Sequence, residues 1–381
     1  MRRNLIVPIF FAVIVASGLA HPVQGQALSG EEVWRFGVGD PIVAVALSQD
    51  GLYGAVTTEE RVYLYDRNGT LLWSYPVSQS RSVAISSEGE RIVTGGDHLL
   101  LFDRKGNVIW RYRPESRIQG VAIAADGRTI CAGAGTGLRV FSLDDGQTTA
   151  NASWSFDTGD PVGSVSIDGD GSSAVAGSDS GNIYFFGGDG RLLWDYRTGS
   201  HGVRVAVSHD GSTVAAASPQ RVTFLLNQNG RILWKSSTQE RITDVSISGD
   251  GSTLVLASGG ISIFNRDGEI VWTYATDEEI RCVSTSSNVT HILAGALDGA
   301  VSAFRVQPEV LPAGMPETPP PDPAFTAEPS QTSAAPTQGQ TTPQQGMALS
   351  PATLITVGAC LAAMAWRRKK QGQGRSRVHV Q

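Results

Sequence analysis

The chain has 381 residues, enough for a large core with appendages, and its formal net charge of −6 gives no reason to expect a general nucleic-acid surface. Its three cysteines, Cys131, Cys282 and Cys360, suggest no disulfide framework. Cys131 and Cys282 fall in apolar strand patterns, Cys360 lies in a different segment, and all three read as small buried residues.

Residues 1–25 read as an export signal. Arg2 and Arg3 form a positive start, Leu5 to Ala20 is an uncharged apolar run, and Gly18-Leu19-Ala20 or Val23-Gln24-Gly25 offers a cleavage site. An uncleaved anchor is the alternative. The Arg2-Arg3 pair also suggests a twin-arginine signal, but the n-region is very short for one.

From residue 29 to 306 one unit is written repeatedly. Tryptophans stand at 34, 73, 110, 154, 194, 234 and 272, in steps of 39, 37, 44, 40, 40 and 38 residues. An acidic-Gly turn recurs at Gly51, Gly89, Gly127, Gly171, Gly211 and Gly251, where glycine takes a positive φ without a Cβ clash. A second turn glycine lies four residues before the tryptophan at Gly69, Gly106, Gly190, Gly230 and Gly268. Each unit holds four short β-type runs: an apolar one, a small and β-branched one, an aromatic one, and one that ends in tryptophan. A period near 40 with four strands per unit predicts an all-β fold, a β-propeller of four-stranded antiparallel blades. The tryptophan reads as packing between blades at the wide periphery.

Six complete units run from Ile42 to Trp272. A seventh begins at Ile280 and stops at Val306 without a fourth strand or a tryptophan. Val33-Trp34-Arg35-Phe36, ahead of the first unit, matches the missing strand. The N-terminal strand is therefore expected to complete blade 7 and close a seven-bladed ring, removing a sheet edge. Ser287-Asn288-Val289 replaces the acidic-Gly turn there, so blade 7 is expected to be the least regular.

Two related propeller groups share these residues. Gly190-Arg191-Leu192-Leu193-Trp194 resembles the ending of the quinoprotein-type (PQQ-like) repeat. The segment Ala176 to Tyr184 resembles a WD repeat, although the Gly-His and Trp-Asp signatures are absent. The resemblance implies a propeller with its first strands around a central channel. It is specific for fold and poor for function, because propellers host binding, scaffolding and several chemistries.

Three tripeptides, at Asn68, Asn151 and Asn288, are glycosylation sequons in expected turns. Residues 307–347 are rich in Pro, Thr, Ser and Gln and read as a disordered stalk. Ala348 to Trp366 is uncharged and mostly apolar, long enough for one transmembrane helix, and Arg367-Arg368-Lys369-Lys370 opens a basic tail, residues 367–381. The positive-inside rule makes that tail cytoplasmic and the propeller extracellular. The same run also reads as a cell-surface sorting signal.

No catalytic constellation emerges. The six histidines lack metal spacing, and Asp168-Gly169-Asp170-Gly171 lacks the later ligands of a calcium loop, so no metal or cofactor is expected. Arginines do recur near loops that the resemblance places on one face: Arg81, Arg117, Arg204, Arg241 and Arg281 at the first strand, with Arg61, Arg139 and Arg221 before the third. Arginine suits bidentate contact with carboxylate or phosphate. The competing expectation is an ion-pair surface with Asp40, Glu60, Asp160, Asp244 and Glu279. The reading is a binding or scaffolding module at the cell membrane with a protein or glycan partner and no nucleic acid. The alternative is a quinoprotein-like or other propeller enzyme with its site at the channel mouth.

Overall fold

The computed structural model describes residues 28–143 and 151–308, which form a ring of seven four-stranded antiparallel sheets. Blades 1 to 6 span residues 44–76, 82–112, 118–157, 162–197, 204–237 and 244–275, each with strands paired in chain order. Blade 7 is assembled from both ends of this region. Its inner strands are Ile280–Thr285, His291–Ala296 and Ala300–Pro308. Its outermost strand is Leu28–Gly37, which pairs antiparallel with Ala300–Pro308 from Leu28↔Pro308 to Gly37↔Ala300. The N-terminal strand therefore closes the ring. The export signal, the remainder of the stalk, the apolar run and the basic tail lie outside the described residues.

The core is divided into seven seams between neighbouring blades, one apolar cluster per seam. Ala55, Val62 and Leu64 of blade 1 meet Val83, Ile92 and Phe102 of blade 2 in one of them. Val175, Ile183 and Phe185 of blade 4 meet Val205, Val214 and Phe224 of blade 5 in another. Both faces of each sheet are thus buried, and the second and third strands are apolar on both faces. Cys131 and Cys282 are free and buried in these seams, where burial pushes both thiols up.

The tryptophans clasp the seams from outside. The Trp73 Nε1–H donates to the Arg104 carbonyl at 2.8 Å, Trp194 to Gln228 at 2.8 Å and Trp234 to Arg266 at 2.9 Å. Trp34 and Trp154 do the same with Arg67 and Gly188, both at 2.9 Å. In each case the acceptor lies in the outer turn of the next blade, and that turn's glycine rests on the indole face. A Cβ at Gly190 would lie 2.6 Å from Cδ2 of Trp154, and the glycine's φ of +81° favours glycine independently. The recurring Gly and Trp of one unit therefore serve different seams. Blade 7 has no outer turn, because its last two strands come from opposite ends of the described chain. Gly30 of the N-terminal strand covers the Trp272 ring instead.

The turns between first and second strands lace one end of the channel. Backbone N–H groups donate around the ring: Gln49 to Ser87, Ser87 to Ala125, Ala125 to Gly169, Gly169 to His209, Asp210 to Gly249, Gly249 to Ser287 and Ser287 to Gln49. Across it, Gln49 of blade 1 and His209 of blade 5 join through Nε2 and Nδ1 at 2.7 Å. Blade 7 keeps this turn despite its different sequence. Val289 takes the glycine's place at φ 57°, donating to the Ser286 carbonyl at 2.9 Å, and the Asn288 Oδ1 accepts as the aspartates do elsewhere. The expected irregularity is one of composition, and a buried Val side chain occupies a strained backbone.

Blade 4 departs from the repeat at a buried position. Ser48, Ser86, Ser208, Ser248 and Ser286 each accept the backbone N–H five residues ahead through Oγ. Blade 4 places Asp168 there, 3% exposed. Its Oδ2 accepts the Ser172 and Ser173 hydroxyls at 2.9 and 2.6 Å, while Oδ1 is buried without a partner. Asp170 caps its own turn through the Ser172 N–H, so the Asp-Gly-Asp-Gly motif is a turn of the repeat. Asp168→Ser restores the repeat and is expected to stabilise the protein by about 1–2 kcal/mol, read by calorimetry. A lowered melting temperature would contradict this account of the position.

Candidate binding site at the channel mouth

At the end of the channel away from the laced turns, the loops between second and third strands gather with the loops that enter each first strand. They enclose a cavity of about 700 Å3, which leads into the channel between the innermost strands. Its lining includes Arg81, Arg117, Arg204, Arg241 and Arg281, with Asp179 and Glu279 as the acids. The five arginines singled out by sequence come from five blades, so only ring closure brings them together. Arg61, Arg139 and Arg221 lie elsewhere. Arg61 donates to the Ser74 hydroxyl at 3.1 Å. Arg139 lines a separate pocket on blade 3 and stands 3.8 Å from Glu115.

The five mouth arginines fall into two groups. Arg81 pairs with Glu59 at 2.7 Å and Arg117 with Asp97 at 3.1 Å. The Ser78 hydroxyl and then Arg117 hold the Asp97 carboxyl below its usual range. Arg204 donates to the Gly163 carbonyl at 3.0 Å. Arg204, Arg241 and Arg281, on consecutive blades 5, 6 and 7, are exposed and form no ion pair among the described residues.

The acids that pair are not those expected from sequence. Asp160 accepts from the Ser180 hydroxyl at 2.6 Å, and Asp244 accepts the Val283 N–H at 3.0 Å. The loop between second and third strands of one blade overhangs the entry of the next. An arginine is therefore met by an acid 20 to 22 positions earlier, as Arg117 is by Asp97 and Arg81 by Glu59. The same offset from Arg241 falls on Pro219, Gln220 and Arg221, and from Arg281 on Gly259, Gly260 and Ile261. That spacing was available in the sequence and separates paired from unpaired arginines.

Asp244 is recessed among the unpaired arginines. The matching position carries a serine in blades 2 and 4, whose hydroxyls accept the Val121 and Val205 N–H groups of the next blade, each at 3.1 Å. Blade 5 has Arg204 there, which cannot accept, and blade 6 has Asp244. The Asp244 carboxylate takes the N–H of Val283. Burial in the channel wall pushes its carboxyl up from the usual range, opposed by Arg204 and by neighbouring backbone N–H groups.

Among the described residues lining this mouth no Ser, Cys or Thr is hydrogen-bonded to a His or other side-chain base. Among the described residues no group of three or more His, Cys, Asp or Glu is placed to hold a metal ion. The mouth can, however, offer an anion three guanidinium groups that form no ion pair among the described residues, with Asp244 recessed beside Arg204. Asn68, Asn151 and Asn288 are exposed, Asn68 and Asn288 in tight turns.

A closed ring of Trp-clasped four-stranded units around a channel is a β-propeller of the PQQ-like repeat class, a fold that suits a binding or scaffolding module. Three overlapping segments, residues 12–109, 83–196 and 179–307, match the family model described as outer membrane protein assembly factor BamB (PQQ_2). The chain belongs to that family. A search of curated proteins gives no match.

Proposed function

We propose that the chain is an exported, membrane-tethered propeller that displays its arginine mouth at the cell surface and binds an acidic segment of a protein partner there. The observation that carries this is the convergence of Arg204, Arg241 and Arg281 on the mouth with no ion pair to any of them among the described residues. The family's description as an assembly factor supports a protein partner over a glycan. Support for the surface location comes from the sequence: an apolar N-terminal run, a proline-rich stretch, and a second apolar run followed by four basic residues.

The test is affinity capture from solubilised membranes with the propeller as bait, wild type beside the Arg241→Ala/Arg281→Ala protein. A partner of acidic character held by the wild type and lost by the variant is the expected result. Capture of a glycan would redirect the reading to a carbohydrate ligand. Equal capture by both proteins would remove the mouth as the contact.

A further inference from the structure

Exposed apolar side chains open the outermost strand of blade 1, at Leu71 and Leu72, and those of three consecutive blades, 4 to 6. On these three, Leu192, Leu193, Ile232, Leu233 and Ile270 are 36 to 57% exposed. They begin the outermost strands Leu192–Arg197, Ile232–Ser237 and Ile270–Ala275, just after the outer turns and so towards the face opposite the mouth. These strands are the unpaired outer edges of their sheets. Such an apolar arc is a contact surface by default.

The same turns carry Arg191, Arg231 and Arg266, all exposed and without ion pairs among the described residues. Asp189, Asp267 and Glu269 share these turns. The Asp189 Oδ1 is engaged by the Arg191 N–H, and Glu269 accepts from the Asn265 side chain. Three arginines against three acids leave these turns without net charge, so the leucine and isoleucine side chains carry the arc's affinity for a headgroup boundary and the arginines supply local contacts with anionic headgroups.

The described chain also begins and ends on this face. Leu28 and Pro308 are partners at the end of their sheet away from the mouth, while Gly37 and Ala300 are partners at the mouth end. Residues 309–347 separate Pro308 from the apolar run 348–366. Random-chain scaling over that many residues gives a root-mean-square reach of roughly 35 Å, and a tether of that reach keeps a propeller at an effective concentration on the order of millimolar near the membrane. Under that condition a contact too weak to hold a free propeller is still populated.

We propose that this arc of blades 4 to 6 seats on the bilayer surface, its leucine and isoleucine side chains entering the headgroup boundary and Arg191, Arg231 and Arg266 meeting anionic headgroups, so that the arginine mouth faces away from the membrane. The proposal rests on the tethered reading above. It is tested on the full chain carrying Cys360→Ala, with a fluorophore on Leu193→Cys or, for comparison, on Leu297→Cys at the mouth. Each protein is reconstituted into phosphatidylcholine vesicles containing phosphatidylglycerol and a nitroxide-headgroup lipid.

The expected result is co-flotation with vesicles and quenching at position 193 at least about threefold greater than at 297, reduced by Arg191→Glu and Arg266→Glu. Failure to co-float would refute the tether and the seating with it. Co-flotation with equal, weak quenching at both positions would overturn the seating alone. Shielding at 193 that depends on protein concentration and persists in detergent would assign the arc to a second copy of the chain and overturn the lipid contact.

Discussion

Deleting residues 28–37 is expected to leave a ring that neither closes nor stays soluble. The strand contributes more than its pairing with Ala300–Pro308. Trp34 and Phe36 stack at 4.9 Å and Phe36 meets Tyr65 of blade 1 at 4.7 Å, so the strand fills the seam between blades 7 and 1. Gly30 covers Trp272 of blade 6, and the Trp34 indole N–H reaches the Arg67 carbonyl at 2.9 Å. Arg35 pairs with Glu278, and the Ser302 hydroxyl donates to Glu32 at 2.8 Å. Losing two half-buried aromatic residues and their seam costs on the order of 5 kcal/mol, comparable with the whole stability of many domains. The deletion also exposes the edge of Ala300–Pro308 to other chains. Size-exclusion chromatography and thermal melting read both effects. A soluble monomer with an unchanged melting temperature would contradict the closure account.

Gly181→Ala is expected to be the most damaging single methyl group in the mouth loops. Gly181 lies at φ +93°, a conformation that costs an alanine about 1–2 kcal/mol. Its Cβ would also run into the backbone carbonyl oxygen of Ser200, which cannot rotate away. The Gly181 carbonyl in turn accepts the Thr198 N–H at 3.0 Å and the Thr198 hydroxyl at 2.8 Å, so the two loops cannot separate cheaply. A loss of about 3–5 kcal/mol follows. Gly199 in the neighbouring loop is the control. It has φ +74° with open space at the Cβ position, so Gly199→Ala should cost only the backbone term, about 1–2 kcal/mol. Equal losses in chemical denaturation would mean that the close approach to Ser200 carries no weight.

The blades were legible because the tryptophan, the turn glycines and the apolar strands recur with one period. Each answers a local demand that every seam repeats. Closure was legible from one misplaced strand, because Val33-Trp34-Arg35-Phe36 matches a pattern missing at the other end. The division of labour between Gly and Trp was not, since Gly69 serves Trp34 while Trp73 serves the turn at Gly106. Such partners lie in adjacent units and cannot be assigned by reading one unit at a time. The same limit explains the acids. Asp40, Glu60, Asp160, Asp244 and Glu279 are near the arginines in sequence or in face, but the overhang of one blade on the next selects Glu59 and Asp97. Asp244 could not be recognised as a substitute for a serine acceptor until the inner strands were aligned around the channel.

The central claim is that the mouth recognises an anion through the arginines lacking internal partners, and one comparison tests it most directly. The captured partner's affinity is measured for the wild type, Arg241→Ala/Arg281→Ala, Arg81→Ala/Arg117→Ala and, on the opposite face, Lys105→Ala. Each charge-assisted contact is worth ~1.5–3 kcal/mol, so losing both Arg241 and Arg281 should weaken binding about a hundredfold or more. Arg81 and Arg117 are already engaged by Glu59 and Asp97 in exposed pairs, so their removal should cost less than about tenfold, and Lys105→Ala nothing measurable. Equal affinities for all four proteins, or a larger loss from Arg81 and Arg117 than from Arg241 and Arg281, would contradict the account.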